Sequence, residues 1–288
     1  MDKSLFLFFF ILACCFDINH ALKVCSFSGL NRKRNTTSCP DAVTTLLDMV
    51  SRCDISVFSP RFYPEDKKID KLQMFVDNLN SKYSGKTFAH VESDIFTVKS
   101  QKFWHVIIYR SDLGEVKYIA STRSQQMKDY EIFDTRRFFI RFQAQNTGIS
   151  DCILVPVLTT TNVKKEVDEL FDMFDAVEEH WPNKNVMFLG DFSTIAKYLD
   201  TQEPRINNYG KFQWLIDGEM DTMVKPDINY ANDRFVAFGT QVQNAVVPGS
   251  AKPFNFLINY SLSQEEGLCI MDHYPIELDL EPPPHGIQ

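Results

Sequence analysis

Apolar positions along the chain fall into two alternating kinds of segment. Residues 22–27, 54–58, 104–109, 138–142, 152–158 and 186–189 are short runs with apolar side chains at mostly consecutive positions, the mark of strands buried on both faces. Between them, residues 42–50 and 69–79 repeat their apolar positions at helical spacing. Val163, Val167, Leu170, Phe171, Phe174 and Val177 line one side of a longer helix that should end near Trp181, and that stripe reads as core. The last third predicts strands over 212–216, 235–238, 242–247 and 274–280, separated by turn-rich segments such as Pro248-Gly249-Ser250. Such an order predicts an α/β protein with two mainly antiparallel or mixed sheets packed face to face and helices outside. No Gly/Ser-rich linker divides the chain, so one domain is expected over residues 22–280, followed by a flexible tail over 281–288 that contains three consecutive prolines.

The most apolar segment lies at the N-terminus. Residues 5–15 include Phe6, Phe8, Phe9 and Phe10, follow the single Lys3 and end near Ala21, a pattern expected of a secretory signal peptide over residues 1–21. A retained anchor or a buried strand is the competing reading, although the run is short for a membrane span. Secretion changes the reading of other residues. The sequons beginning at Asn35 and Asn259 become glycosylation candidates on exposed loops, and Cys25, Cys39, Cys53, Cys152 and Cys269 remain after the leader is removed. Five is odd, so at least one thiol stays free or pairs outside the chain. Cys25, Cys53 and Cys152 sit in apolar runs and read as small core residues, and spacing assigns no pairing.

Composition narrows the classes. With 288 residues, 44% apolar and 24% charged, the chain can bury a large core and is not a disordered protein. Its net charge of −8 argues against tight nucleic-acid binding through general phosphate neutralisation. The 25 phenylalanines are read as core filling, and the basic run Asn31-Arg32-Lys33-Arg34 as a solvated loop able to touch a polyanion.

Candidate chemistry gathers where strands begin or end. Gly190-Asp191-Phe192-Ser193, Asn232-Asp233-Arg234 and Asp272-His273-Tyr274-Pro275 offer an Asp beside a His with two further Asp, a set able to orient a base and hold a hard cation. Taken singly, each Asp reads as a turn or cap residue. Their order, together with Leu22-Lys23-Val24, Phe212-Gln213-Trp214-Leu215-Ile216, Ala245-Val246-Val247-Pro248 and Pro253-Phe254-Asn255-Phe256, resembles the secreted deoxyribonuclease I family over residues 22–280.

The resemblance implies that family's four-layered α/β sandwich and a metal-dependent phosphodiester cleavage supported by two His–acid pairs. It carries over catalytic roles to His273, Asp233 and Asp272, metal binding to Asp191 and Asp272, and phosphate contact to Arg136. The remaining positions depart from the family pattern. Leu158 stands where the second histidine belongs, Phe103 or Lys102 where that histidine's glutamate partner belongs, and Pro60 where a metal-binding glutamate belongs. Ser28 and Ser193 replace asparagines, and a family disulfide is missing because Ala196 and Tyr230 occupy its places. The expectation is a secreted protein with lost or strongly impaired phosphodiesterase activity, acting by binding a protein or polyanion, needing no cofactor and holding DNA weakly at most. The alternative is a slow Mg²⁺- or Ca²⁺-dependent endonuclease, with His90, His105 or His180 standing in for the lost histidine. Actin binding is not carried over, because Phe88-Ala89-His90-Val91-Glu92 is only partly similar to the family's contact segment.

Overall fold

A computed structural model of the chain describes residues 21–30, 42–62, 68–98, 101–121, 138–144, 149, 151–159, 162–180, 185–198, 211–227 and 230–281. The expected leader, the tail beyond Glu281, Asn35 and Arg136 lie outside the described residues. In chain order the elements begin with β1 (Leu22–Phe27), α1 (Ala42–Ser51), β2 (Ile55–Phe58), β3 (Arg61–Phe62), α2 (Lys68–Lys82) and β4 (Phe88–Glu92). There follow β5 (Phe96–Val98), β6 (Gln101–Phe103), β7 (Val106–Arg110), β8 (Gly114–Ser121), β9 (Phe138–Ala144), β10 (Cys152–Leu158), α3 (Val163–His180) and β11 (Val186–Asp191). The last part holds β12 (Phe212–Trp214), β13 (Asp233–Phe238), α4 (Thr240–Ala245), β14 (Lys252–Pro253), α5 (Phe256–Tyr260), α6 (Gln264–Ile270) and β15 (Ile276–Leu280).

Two six-stranded sheets result, ordered β14-β15-β1-β2-β7-β4 and β12-β13-β11-β10-β9-β8, with a small third sheet β3-β6-β5. Each large sheet is mixed, with one parallel pair, β1 with β2 and β10 with β11, among antiparallel neighbours. Side-chain alternation then builds the layers. Along β11, Met187 and Leu189 face the other sheet and pack with Val24, Ile55, Ile107, Phe235 and Leu278. Val186 and Phe188 face outward and meet Val167, Leu170, Phe171 and Phe174 of α3. On the far side, Cys25, Phe27, Phe58 and Ile108 pack under α1, α2, α5 and α6. The four-layered sandwich expected from the sequence is the observed architecture.

Three expectations are corrected. Residues 242–247 are not a strand: Thr240–Ala245 is helical, and Val246 makes only an isolated bridge to Leu280. Val242 and Ala245, three apart, bury one side of that turn, a period that an apolar run alone does not distinguish from a strand. Cys25 and Cys53 are not merely small core residues. They form a disulfide with Cα atoms 6.0 Å apart, because the chain returns from α1 beside the start of β1. Cys269 is also disulfide-bonded, whereas Cys152 is a buried free thiol whose pKa burial pushes up to about 12. Finally, Asn259 is exposed as expected but sits on α5 rather than on a loop. Among the described residues no helix is long and apolar enough to cross a membrane.

Phe188 is fully buried between the sheet and Phe174 and Phe212. Replacing it by alanine should cost about 3–5 kcal/mol of unfolding free energy. Equilibrium urea denaturation reads this directly.

Candidate functional site

The retained residues converge at one end of the sandwich because of strand register. Leu158 pairs with Asp191 across β10 and β11, and Asp191 pairs with Asp233 across β11 and β13, so the three occupy one row of the sheet. Gly190 makes that row possible. It has a φ of 138°, and a Cβ there would lie 2.2 Å from the Val157 carbonyl oxygen.

His273 approaches this row from the segment that leads into β15. Its Nδ1 is 2.7 Å from Asp233 Oδ2, and its Nε2 is 3.9 Å from Asp272 Oδ1. Asp233 is 1% exposed, and its Oδ1 has no hydrogen-bond partner. Burial opposes the His273 charge, but Asp233, Asp191 and Asp272 outweigh it and carry the imidazole up to about 10. Burial also raises Asp191; His273 opposes that shift and the Asp233 carboxylate adds to it. Ser193, in the place of an asparagine, donates its backbone N–H to Asp191 Oδ1 at 2.7 Å.

Two framing contacts are not evident in the sequence. Thr222, fully buried, accepts the backbone N–H of Asp233 on its hydroxyl at 3.1 Å, while its carbonyl accepts the N–H of Tyr274 at 2.8 Å. One residue thereby ties the start of β13, which carries Asp233, to the segment that carries His273. It lies in a turn-rich stretch without a motif, so sequence reading passes over it. Gly29, at φ 67°, accepts the Asp272 N–H at 3.1 Å, and a Cβ on it would come 2.0 Å from Asp272 Oδ1. Ser28 beside it is buried.

The replaced positions also meet one another. Phe103 of β6 and Phe96 of β5 stack with ring centroids 6.0 Å apart, and Leu158 packs against the pair. Apolar contact thus occupies the side of the row where the resemblance places a histidine and its glutamate. Pro60 lies just before β3, its carbonyl accepting the Trp104 N–H at 3.4 Å. Lys102 is exposed and pairs in register with Phe62. Ala196 and Tyr230, at the positions of the missing disulfide, both belong to the core under α3.

The three alternative histidines lie in different surroundings. His105 is 1% exposed, its Nδ1 is 2.8 Å from Ser59 Oγ and its ring lies 4.9 Å from Phe96. His90 is on β4, an edge strand of the first sheet, and His180 ends α3. Among the described residues, no three of His, Cys, Asp and Glu form a group able to hold a metal ion.

Comparison with known proteins places these features in context. The chain is 32% identical over 269 residues to deoxyribonuclease gamma of Mus musculus, covering 91% of this chain and 85% of the relative. It is 30% identical over 275 residues to deoxyribonuclease-1-like 1 of Cricetulus griseus, covering 93% and 86%. With deoxyribonuclease-1 of Homo sapiens the figures are 28% over 271 residues, 91% and 93%. No family model matches the chain. The fold is similar to that of an endonuclease/exonuclease/phosphatase family protein from Leptotrichia buccalis, with a TM-score of 0.57 at 10% identity over 91% of this chain and 100% of that one. The endonuclease domain of TRAS1, a telomere-specific non-LTR retrotransposon, gives 0.55 at 10% identity over 91% and 99%.

The His273–Asp233 pair predicts a signature in stability. Because the folded-state pKa is raised above about 6.5, the pair's contribution is complete below that pH and is lost as pH climbs through about 10. Denaturant midpoints measured from pH 6.5 to 10 should therefore fall in the wild-type chain. A His273→Gln variant, less stable throughout, should show a flatter profile over the same window.

Proposed function

Because the chain belongs to the deoxyribonuclease I family, we propose that it is a secreted member whose phosphodiesterase chemistry is lost or strongly impaired and which acts by binding. The observation that carries this reading is the contact of Leu158 with the Phe96–Phe103 pair. Neither leucine nor phenylalanine transfers a proton. A general acid or base supplies typically 10²–10⁴-fold in rate, and here both members of one such pair are apolar.

The family is generally dependent on divalent metal, and this donor set fits such an ion poorly. Pro60 brings no carboxylate. His273 Nδ1 is engaged by Asp233 at 2.7 Å, which leaves the carboxylates of Asp191 and Asp272 as the acidic donors there. No catalytic step is therefore routed through a metal. Asp233 and His273 act in this reading as a buried ion pair that supports the end of the sandwich, with Asp191 and Asp272 flanking it.

The leader expected over residues 1–21 and the disulfide bonds at Cys25, Cys53 and Cys269 support passage through an oxidising compartment. The working unit is then the single domain over residues 22–280, and the exposed Asn259 is an available acceptor for glycan. A partner protein or a polyanion is the expected ligand, with DNA bound weakly.

Incubation of the purified mature chain with supercoiled plasmid, Mg²⁺ and Ca²⁺ tests the reading. No nicking above that of an Asp272→Ala control is expected. Nicking that disappears in the control would establish the chain as a slow endonuclease acting through the retained half of the site.

A further inference from the structure

Helix α5 is five residues long, and its side chains divide into two groups. Phe256 is fully buried, and Leu257 and Tyr260 pack with it into the core under the helices on that side of the sandwich. Ile258 and Asn259 are exposed instead. Ile258, at 79%, is the most exposed large apolar side chain among the described residues, so solvent stands open beside the amide of Asn259.

The end of this helix is unusual in one residue. The N–H of Ser261 donates to the Ile258 carbonyl at 3.3 Å, and that of Leu262 to the Leu257 carbonyl at 2.9 Å, the pair of bonds that closes a helix on a left-handed residue. Glycine is the usual occupant, because a Cβ in left-handed backbone crowds the following carbonyl oxygen. Here the occupant is Ser261, at φ 54° and ψ 41°, the one non-glycine residue with positive φ among the described residues. Its hydroxyl takes part in neither bond, so the cap gains nothing from a serine. The hydroxyl does complete Asn259-Tyr260-Ser261, and an N-linked acceptor requires serine or threonine in that third place.

From the open amide and the strained serine we infer that Asn259 carries an N-linked oligosaccharide, and that Ser261 stands in a glycine's place because the acceptor motif needs its hydroxyl. In the transfer, Asn259 Nδ2 forms a bond to the anomeric carbon of a lipid diphosphate-linked oligosaccharide. The carbon–oxygen bond to the diphosphate breaks, the lipid diphosphate leaves with that electron pair, and Nδ2 gives up one proton to solvent. This site rests on the proposed passage through a secretory compartment and needs nothing from the cleft. A bulky, hydrophilic sugar at Asn259 covers Ile258 and withdraws this side of α5 from partner docking.

Expression of the full chain in cultured animal cells provides the test. Secreted protein is treated with peptide N-glycosidase in heavy-oxygen water, and the peptide holding residue 259 is analysed by mass spectrometry. Most of it should contain heavy-oxygen aspartate in place of Asn259. Ser261→Thr should keep the sugar, and Ser261→Gly, Ser261→Ala and Asn259→Gln should lose it. Among those three sugar-free chains, Ser261→Gly should raise the urea midpoint by roughly 0.3 M over Asn259→Gln, whereas Ser261→Ala, which keeps the Cβ, should not. An unmodified Asn259 in the wild-type chain, or a Ser261→Gly chain no more stable than Asn259→Gln, would overturn the inference. A chain that its own leader does not export contradicts the proposed secretion instead, and the same chain behind a host leader in place of residues 1–21 then decides Asn259 separately.

Discussion

The row of the sheet that carries Asp191 also carries Leu158, a side chain that exchanges no proton. Strand pairing fixes this. β10 and β11 run parallel with Leu158 opposite Asp191, and β13 sets Asp233 on the other side. The sheet therefore presents an apolar residue, then two carboxylates, and the small sheet β3-β6-β5 completes the apolar side with Phe96 and Phe103. The exchange is mutually supportive: a histidine facing Phe103, or a glutamate facing Leu158, would place a polar group against carbon without a partner. The two replacements make physical sense together and little sense apart.

The same physics accounts for what was kept. Asp233 is inaccessible to solvent and bonded to a His273 that carries charge over the neutral range. Removing one partner of such a pair leaves a charge stranded in the interior and typically costs about 3–5 kcal/mol. Thr222 ties Asp233 and Tyr274, and Gly29 ties Asp272, so the residues on both sides of His273 are held by the backbone. The buried His273–Asp233 pair is thus held by the fold itself. Pro60 and Leu158, both half-buried at the rim, carry no comparable penalty for change.

Much of this was legible in the sequence. Consecutive apolar residues marked β1, β2, β7, β10, β11 and β13, because strands covered on both faces need no polar alternation. The short strands of the third sheet were not legible: Gln101–Phe103 contributes two exposed residues and one buried phenylalanine, and no periodicity can be read from three positions. The helix at Thr240–Ala245 was misread because its apolar residues also suit a strand, and Gly239, at φ 102°, starts a helix that a sequence pattern does not disclose. The Cys25–Cys53 bond depends on where α1 delivers the chain beside β1, a tertiary fact. At the site, the replaced positions were each visible as departures from a family pattern. Their mutual contact, and the clamp at Thr222, became visible only when β5, β6 and β10 were brought together in space.

The most direct measurement puts the missing groups back. A Leu158→His, Phe103→Glu, Pro60→Glu variant, verified as folded by its near-UV circular dichroism, should nick supercoiled plasmid with Mg²⁺ and Ca²⁺ at least about 10²-fold faster than the wild-type chain, the lower bound for one restored acid–base group. A wild-type chain that already nicks as fast as this variant would contradict the account, because its chemistry would then owe nothing to the groups that Leu158, Phe103 and Pro60 displaced.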